Sequence, residues 1–404
     1  MSPLMGSRPT VVHVTPWFLP HIGGLERHVE TICSGVNSFR SVVVTPRIPG
    51  TQMMERSSEN MTVLRFGPMK FAESGTPRPL RRTRDWVGRV ARLANLRLVL
   101  RDLKYEVLHV HRPPLIELAY VASRYRGIAP LREISRKANV TTDGAKPTVL
   151  TDHGLFVQPS TSSSLDITWF MEDILSNFDH VICVDRSGFE RASSISARLA
   201  APFSKVHHIP QPIDTRIFQP TPLPDTRGLV VGYTGRWERD GMYLLADLVA
   251  ANIPGVRFLI SGGATQKDIR TYQPTFSRPN VTLAPNIVPV RELANLYRGM
   301  HILVDFYRGD GCGRSVLEAM ATGRPVLRMR AQDTHPVVHG ETGLLVEPDG
   351  RVIARAIAEL SQRREYLAEL GRNAGKAVQA EFGLDRVLPQ IESVYKAALA
   401  GAEA

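Results

Sequence analysis

The sequence predicts a doubly wound α/β protein in which the same arrangement occurs twice. Short β-branched apolar runs recur along the chain, stretches with helical apolar spacing separate them, and one strand–loop–glycine–helix opening appears at Thr10 and again at Gly228. Strands that alternate with helices imply parallel sheets covered on both faces. At 404 residues the chain exceeds one compact domain, and with 43% hydrophobic and 22% charged residues it can bury a core in each half.

In the first half, TVVHVTP (10–16) reads as a strand whose loop reaches Gly23 and Gly24. LERHVETICSGV (25–36) then places Leu25, Val29, Ile32, Cys33 and Val36 on one helical stripe. SVVVTP, VLHVHR, PTVLTDHG and HVICVD follow as strands. In the second half, GLVVGYTG (228–235) is a strand, its loop runs from Arg236 to Gly241, and MYLLADLVAA is a helix; RFLISGG, HILVDFY and PVLRMR are further strands. The proline-rich stretch QPIDTRIFQPTPLPDTRG (211–228) reads as a hinge. The tail from VIARAIAEL to VYKAALA is helical, with a break at Phe382-Gly383. We therefore expect two Rossmann-like domains, over 1–210 and 211–380, and a C-terminal helix over 381–404 that packs back toward the first. Ligands of such sheets bind beyond the carboxyl ends of the strands, at the switch point, so the expected site is a cleft between the two.

The formal charge is +11 and the pI near 9.8, which favours acidic partners. Nine basic residues between Arg78 and Lys104 face only Asp85 and Asp102, with Trp86, Val90, Leu93, Leu96, Val99, Leu100 and Leu103 at helical spacing among them. That pattern fits a basic amphipathic helix on an anionic membrane surface, and equally a surface helix with a solvated arginine face. Stacking aromatics and nucleic-acid recognition motifs are lacking, so nucleic acid is not an expected partner. Cys33, Cys183 and Cys312 show no metal-ligand spacing and suit a reducing compartment. Without a charged leader or a long apolar run, a cytoplasmic protein is expected, peripheral at most on the inner face of the membrane.

The stretch DGCGRSVLEAMATGRPV (310–326) sets an acid and two glycines before a short apolar helix. Each glycine costs roughly 0.5–1 kcal/mol of folding entropy, which close approach of a ligand to the backbone would offset. One reading is an anion site at the helix N-terminus. The other is a capping box in which Ser315 and Glu318 satisfy the first turn.

These segments together resemble the GT-B retaining glycosyltransferases of family 4 over most of the chain. Asp310 through Glu318 align with the family's acid, seven residues, glutamate signature, and AMATGRPV continues it. The resemblance implies that Asp310 contacts donor-sugar hydroxyls, that Glu318 holds the ribose, that backbone N–H groups around Arg314, Ser315 and Val316 hold phosphate, and that Gly311, Cys312 and Gly313 belong to the donor-binding loop. Asp310 stands where the family has glutamate, and Cys312 where it commonly has an aromatic. GYTGRWERDG resembles the loop whose arginine and lysine neutralise the diphosphate. Arg236 takes the arginine's place; Asp240 occupies the lysine position, which leaves Arg239 as the second cation. HHIPQPIDTRIFQP and GETGLLVEP match further family segments, with His335 in place of a glutamate. LAPNIVPVRELANLY puts Asn286 and Ile287 beside the nucleotide base. In the first half, PHIGGLERHV matches the acceptor-side glycine loop, so that Gly23 and Gly24 let amides approach the donor phosphate. TDHGLF places His153 close to the transferred sugar. His109 and His111 either flank the acceptor or are structural.

The implied fold is GT-B, two Rossmann-like domains facing across a cleft, the first for the acceptor and the second for the nucleotide sugar. The implied reaction is retaining transfer from a nucleotide-sugar donor, UDP- or GDP-linked, to a lipid-linked, polysaccharide or small-molecule hydroxyl. Negative charge that develops on the departing diphosphate calls for electrostatic stabilisation by Arg236, Arg239 and helix amides. No D-x-D pair precedes a phosphate loop, so neither a metal nor another cofactor is expected. A phosphorylase on the same fold would need a pyridoxal lysine, for which there is no compelling candidate. A non-catalytic partner that retains the nucleotide-sugar cleft is the alternative from another class, favoured by Asp240, Asp310 and His335.

Overall fold

The computed structural model describes residues 8–68, 96, 98–111, 146–154, 168–199, 205–237, 241–264, 266–284 and 289–403. The chain forms two compact units. The first comprises Met1–Phe156, Ser162–Ile209 and Leu388–Ala404; the second comprises Val157–Thr161 and Pro210–Val387.

The first unit is built on eight strands: β1 (Thr10–Val14), β2 (Arg40–Arg47), β3 (Met54–Arg56), β4 (Met61–Pro68), β5 (Val107–His111), β6 (Thr148–Asp152), β7 (His180–Cys183) and β8 (Lys205–His208). Their order is β3-β4-β2-β1-β5-β6-β7-β8, parallel throughout except for the antiparallel edge pair β3–β4. β1 and β5 are neighbours although β2 to β4 intervene in sequence, so the switch point lies between them. Helices α1 (Gly24–Gly35), α2 (Thr168–Asn177) and α3 (Arg186–Arg198) accompany this sheet. Valines 12, 14, 44 and 110, Leu108 and Leu150 form its interior with Met171 and Ile174 of α2.

Every run read as a strand in this half is one. β3, β4 and β8 were not anticipated. β4 carries Arg65, a residue that interrupts an apolar strand pattern, yet it is only 4% exposed and donates to Glu55, Gln52 and Leu19. The described end of the basic amphipathic segment is helical over 98–102, and its apolar residues, except the exposed Leu98, turn inward. Leu96 and Leu100 are buried in the core of this unit, with Val99 and Leu103 packed against it. Burial of each such leucine is worth about 1.5–3 kcal/mol, which is its use here. Residues 78–95 lie outside the described part.

The second unit is a six-stranded, wholly parallel sheet of β9 (Leu229–Thr234), β10 (Val256–Ser261), β11 (Val281–Leu283), β12 (Ile302–Asp305), β13 (Val326–Met329) and β14 (Gly343–Val346). The order β11-β10-β9-β12-β13-β14 is the doubly wound 3-2-1-4-5-6 arrangement, with its switch point between β9 and β12. Helices α4 (Met242–Ala250), α5 (Gln266–Phe276), α6 (Val290–Arg298), α7 (Arg314–Ala321), α8 (Gly350–Ser361) and α9 (Arg364–Phe382) complete it. β11 and β14 are the unanticipated edge strands. The tail breaks at Gly383, between α9 and α10 (Leu384–Glu403).

Candidate functional site

At the carboxyl end of β9 the chain turns through Gly235 and Arg236. The turn is strapped to the neighbouring strand by Gly235 N–H to Ser261 O (3.1 Å) and Trp237 N–H to Gly263 O (2.9 Å), and the Tyr233 hydroxyl donates to Arg236 O (3.0 Å). Arg236 is exposed at this edge. Gly241, with φ +102°, caps α4, and a Cβ there would come within 2.6 Å of Phe306 O, beyond β12. The loops after β9 and β12 therefore meet at the switch point. Arg308, on the second loop, donates to the Tyr243 hydroxyl in the first turn of α4 and lies 5.8 Å from that ring's centroid. This cation was not foreseen, because only the fold brings residues 243 and 308 together.

The glycine loop runs from Gly309 to Gly313 and feeds α7, with Gly311 at φ +77°. Its anchor is Arg328 of β13, fully buried. Arg328 donates to Gly309 O (2.7 Å), Gly311 O (2.6 Å) and the Cys312 sulfur (2.7 Å), and its guanidinium is 3.8 Å from Asp305. Cys312 thus fills an inward position in place of an aromatic. One Asp310 oxygen accepts from Asp333 N–H (2.8 Å), and Gly311 N–H returns a bond to Asp333 O.

The capping-box expectation fails. The N-cap of α7 is Gly313, which has no side chain to cap with, and Ser315 falls inside the first turn. Val316 N–H, expected on phosphate, already donates to Gly313 O at 3.0 Å. Glu318 is fully buried; it accepts from Arg314 Nε at 2.9 Å and from the Tyr297 hydroxyl at 3.3 Å. Arg314 also donates to Pro212 O (3.0 Å), so it covers the glutamate as a lid one turn long. His335 pairs with Glu381 at 2.7 Å.

The carboxyl edge of the first sheet is different. His13 on β1 and His109 on β5 are register partners, His111 ends β5, and His153 follows β6. His28, on α1, stands with its ring 4.6 Å from that of His153. His13, His28, His109 and His111 are buried, whereas His153 is half-buried. Both ring nitrogens of His109 are engaged: Nδ1 bonds the Tyr395 hydroxyl (2.6 Å) and Nε2 the Thr151 hydroxyl (2.7 Å). Its role is structural. His13 Nδ1 and His111 Nε2 share a hydrogen bond of 3.1 Å. Burial lowers the pKa of His13 to about 3, and burial followed by its histidine neighbours lowers that of His111. These rings are neutral.

Gly23 is the N-cap of α1 with an extended backbone, so its glycine is not demanded by conformation. A Cβ would meet the buried Glu26 carboxylate at 2.5 Å, and that carboxylate is bound to His21 at 2.6 Å. Gly24 begins the helix at an exposed position. Glu26 and His28 were missed because the stripe of α1 was sought among apolar residues. Arg239, Asp240, Asn286 and Ile287 lie outside the described residues.

Residues 22–217 match the family described as Glycosyltransferase Family 4, and residues 228–363 match Glycosyl transferases group 1. The capsular polysaccharide biosynthesis glycosyltransferase CapM of Staphylococcus aureus is 29% identical over 186 residues, 43% of this chain and 47% of that protein. The chain thus spans about half the length of that relative. One subunit of the phosphatidylinositol N-acetylglucosaminyltransferase of Arabidopsis thaliana is 24% identical over 86% of this chain and 73% of its own length. Among solved structures, sucrose-phosphate synthase from Thermosynechococcus elongatus superposes with a TM-score of 0.74 at 20% identity, covering 98% of this chain and 100% of that one. Anabaena Alr3699/HepE, solved with UDP and glucose, gives 0.66 at 17% identity over 96% and 100%. Among the described residues, no helix is long and apolar enough to cross a membrane.

Proposed function

Because this chain belongs to the glycosyl transferases of group 1, with their GT-B fold, we propose that it moves a sugar, with retention and without a donor-bound metal, from a nucleotide sugar to a hydroxyl of a lipid-linked, polysaccharide or small-molecule acceptor. The observation that carries this reading is the second sheet's switch point, where Arg236, Arg308 and the glycine-fed start of α7 stand at one edge. Cleavage of a glycosyl phosphate leaves charge on the diphosphate. Exposed guanidinium groups and the positive end of a helix are the groups that stabilise it. Arg308 takes the part of the family's lysine, whose position holds Asp240. Asp310 faces the donor sugar with the oxygen that Asp333 does not hold. Glu318 receives the ribose when Arg314 turns aside. His153 stands on the acceptor side. Asp310 and Glu318 are thus donor ligands rather than the opposed acid and nucleophile of a glycosidase, and the leaving phosphate takes the acceptor's proton. HepE, a structural neighbour, was solved with UDP-glucose, which supports a nucleotide-sugar donor.

Calorimetric titration with UDP, GDP, ADP and dTDP in the presence of chelator tests this reading. One nucleotide is expected to bind wild type and to bind Glu318→Ala at least tenfold more weakly. Equal binding by the variant would make Glu318 only the counter-ion of Arg314. Binding without turnover would leave a non-catalytic partner, and an inverted product anomer by NMR would overturn retention.

A further inference from the structure

The grouping of His13, His28, His109, His111 and His153 in the first unit is more than a donor site requires, and three of the five converge. One ring nitrogen from each of His28, His111 and His153 lies within 4.8 Å of those of the other two. The ring centres are 4.6 Å apart for His28 and His153, 5.8 Å for His28 and His111, and 6.1 Å for His111 and His153. A tetrahedral ion with nitrogen ligands at 2.0–2.1 Å sets three imidazole centres ~5 Å apart. The observed separations straddle that value.

The surrounding groups select the same three. His13, His109 and His111 also form a cluster, but both nitrogens of His109 are committed to Tyr395 and Thr151. His111 is different. If its Nε2–H donates to His13 Nδ1, its Nδ1 carries a lone pair, and that buried atom has no hydrogen-bond partner among the described residues. A buried polar atom without a partner destabilises the fold, and a ligand at this point removes that cost. Metal-bound imidazoles are held in this way, with the second ring nitrogen fixed by a hydrogen bond that sets tautomer and orientation. The His109 ring, tilted by 35°, has its centre 4.0 Å from that of His111.

We propose that His28, His111 and His153 bind one divalent transition metal of the zinc class, with His13 as the positioning residue behind His111. Three neutral nitrogens without a carboxylate among them favour zinc, copper, nickel or cobalt over magnesium or calcium, which prefer oxygen. Three protein ligands leave a fourth position open, on the side of the half-buried His153. The proposal stands on the first unit alone and does not depend on how the donor is bound.

The test uses the full chain, stripped with chelator and then freed of it. Titration with zinc(II) by calorimetry is expected to show one equivalent bound. Cobalt(II) is expected to give the intense visible absorption of a four-coordinate ion. His153→Ala, at a half-buried position that tolerates truncation, and His111→Ala should each abolish the cobalt band, and His13→Ala should weaken zinc binding by ~10–100-fold. Exposed His339→Ala should leave both unchanged. Absence of zinc uptake, uptake that survives both His111→Ala and His153→Ala, or a pale six-coordinate cobalt spectrum would overturn the site. None of these readouts depends on sugar transfer, so failure of the metal site and failure of the transferase reading are separable.

Discussion

The two sheets place their switch points alike, between β1 and β5 and between β9 and β12, but furnish them with opposite chemistry. In the second unit β9 and β12 are apolar nearly to their ends, and the polar groups arrive on loops and first helical turns, where Arg236 and Arg308 are exposed. In the first unit the polar groups are carried by the strands themselves. His13, His109 and His111 are inside, among valines, and are held neutral. A charge on a loop can meet a phosphate and remain hydrated. An imidazole on a strand cannot shield charge, but it offers a fixed lone pair or a fixed N–H. The same topological position therefore offers exposed cations in one unit and buried neutral imidazoles in the other.

Acid separates the two most strongly. Burial depresses the pKa of His13 to about 3 and that of His180 to about 4, against 6.5 for a free histidine, and lowers His109 and His111 in the same direction. For a base lowered by folding, the unfolded chain takes up protons first. The stability is fully present above pH 6.5 and is lost as pH falls from there toward 3–4, by up to about 1.4 kcal/mol per pH unit for each fully buried imidazole. In metal-free protein the first unit is expected to open before the second on acidification. Hydrogen exchange followed peptide by peptide would show it; simultaneous opening would break the contrast. The second unit's own contribution is His301, lowered to about 4 by burial first and by Arg364 next.

Arg328→Met is the next largest change. It leaves Gly309 O, Gly311 O and Asp305 without their buried partner and is expected to cost about 3 kcal/mol in chemical denaturation, with loss of nucleotide binding. Arg236→Ala is expected to weaken nucleoside diphosphate binding ~10–100-fold with little change in stability, measured by calorimetry. An equal effect from His109→Ala on that binding would erase the distinction between the edges. Arg330→Ala, which removes the exposed pair with Glu347, should shift the denaturation midpoint by no more than about 0.5 kcal/mol equivalent.

Much of this was legible in the sequence. Runs such as TVVHV, VLHVH and LVVGYT have too many β-branched residues and too little helical spacing to be anything but buried strands, and each is one. The other strands escaped because the edge strands β3, β8, β11 and β14 are three or four residues long, and because Arg65 hides the pattern of β4. The Asp310–Glu318 spacing pointed to the loop that leads from β12 into α7. What could not be read was who holds that loop: Arg328 is sixteen or more residues from every group it bonds, and only the β12–β13 pairing brings it there. The histidine cluster was half visible. VLHVH announces two rings on one face, but His13 joins them by register alone and His28 by the packing of a helix.

Tyr395 gives the His109 bond a further meaning. Its phenol, 1% exposed and 2.6 Å from His109 Nδ1, sits against Phe39 as well, and Leu388 of the same helix occupies the space left by Gly35. A chain made from its amino end exposes the central strand of the first sheet to the ribosome's surroundings long before these residues are synthesised. The unit that begins first is therefore also the one that takes its last element latest: its sheet comes from residues before Pro210, and the helix residues that cover His109 and Gly35 lie beyond Val387, after the whole of the second unit.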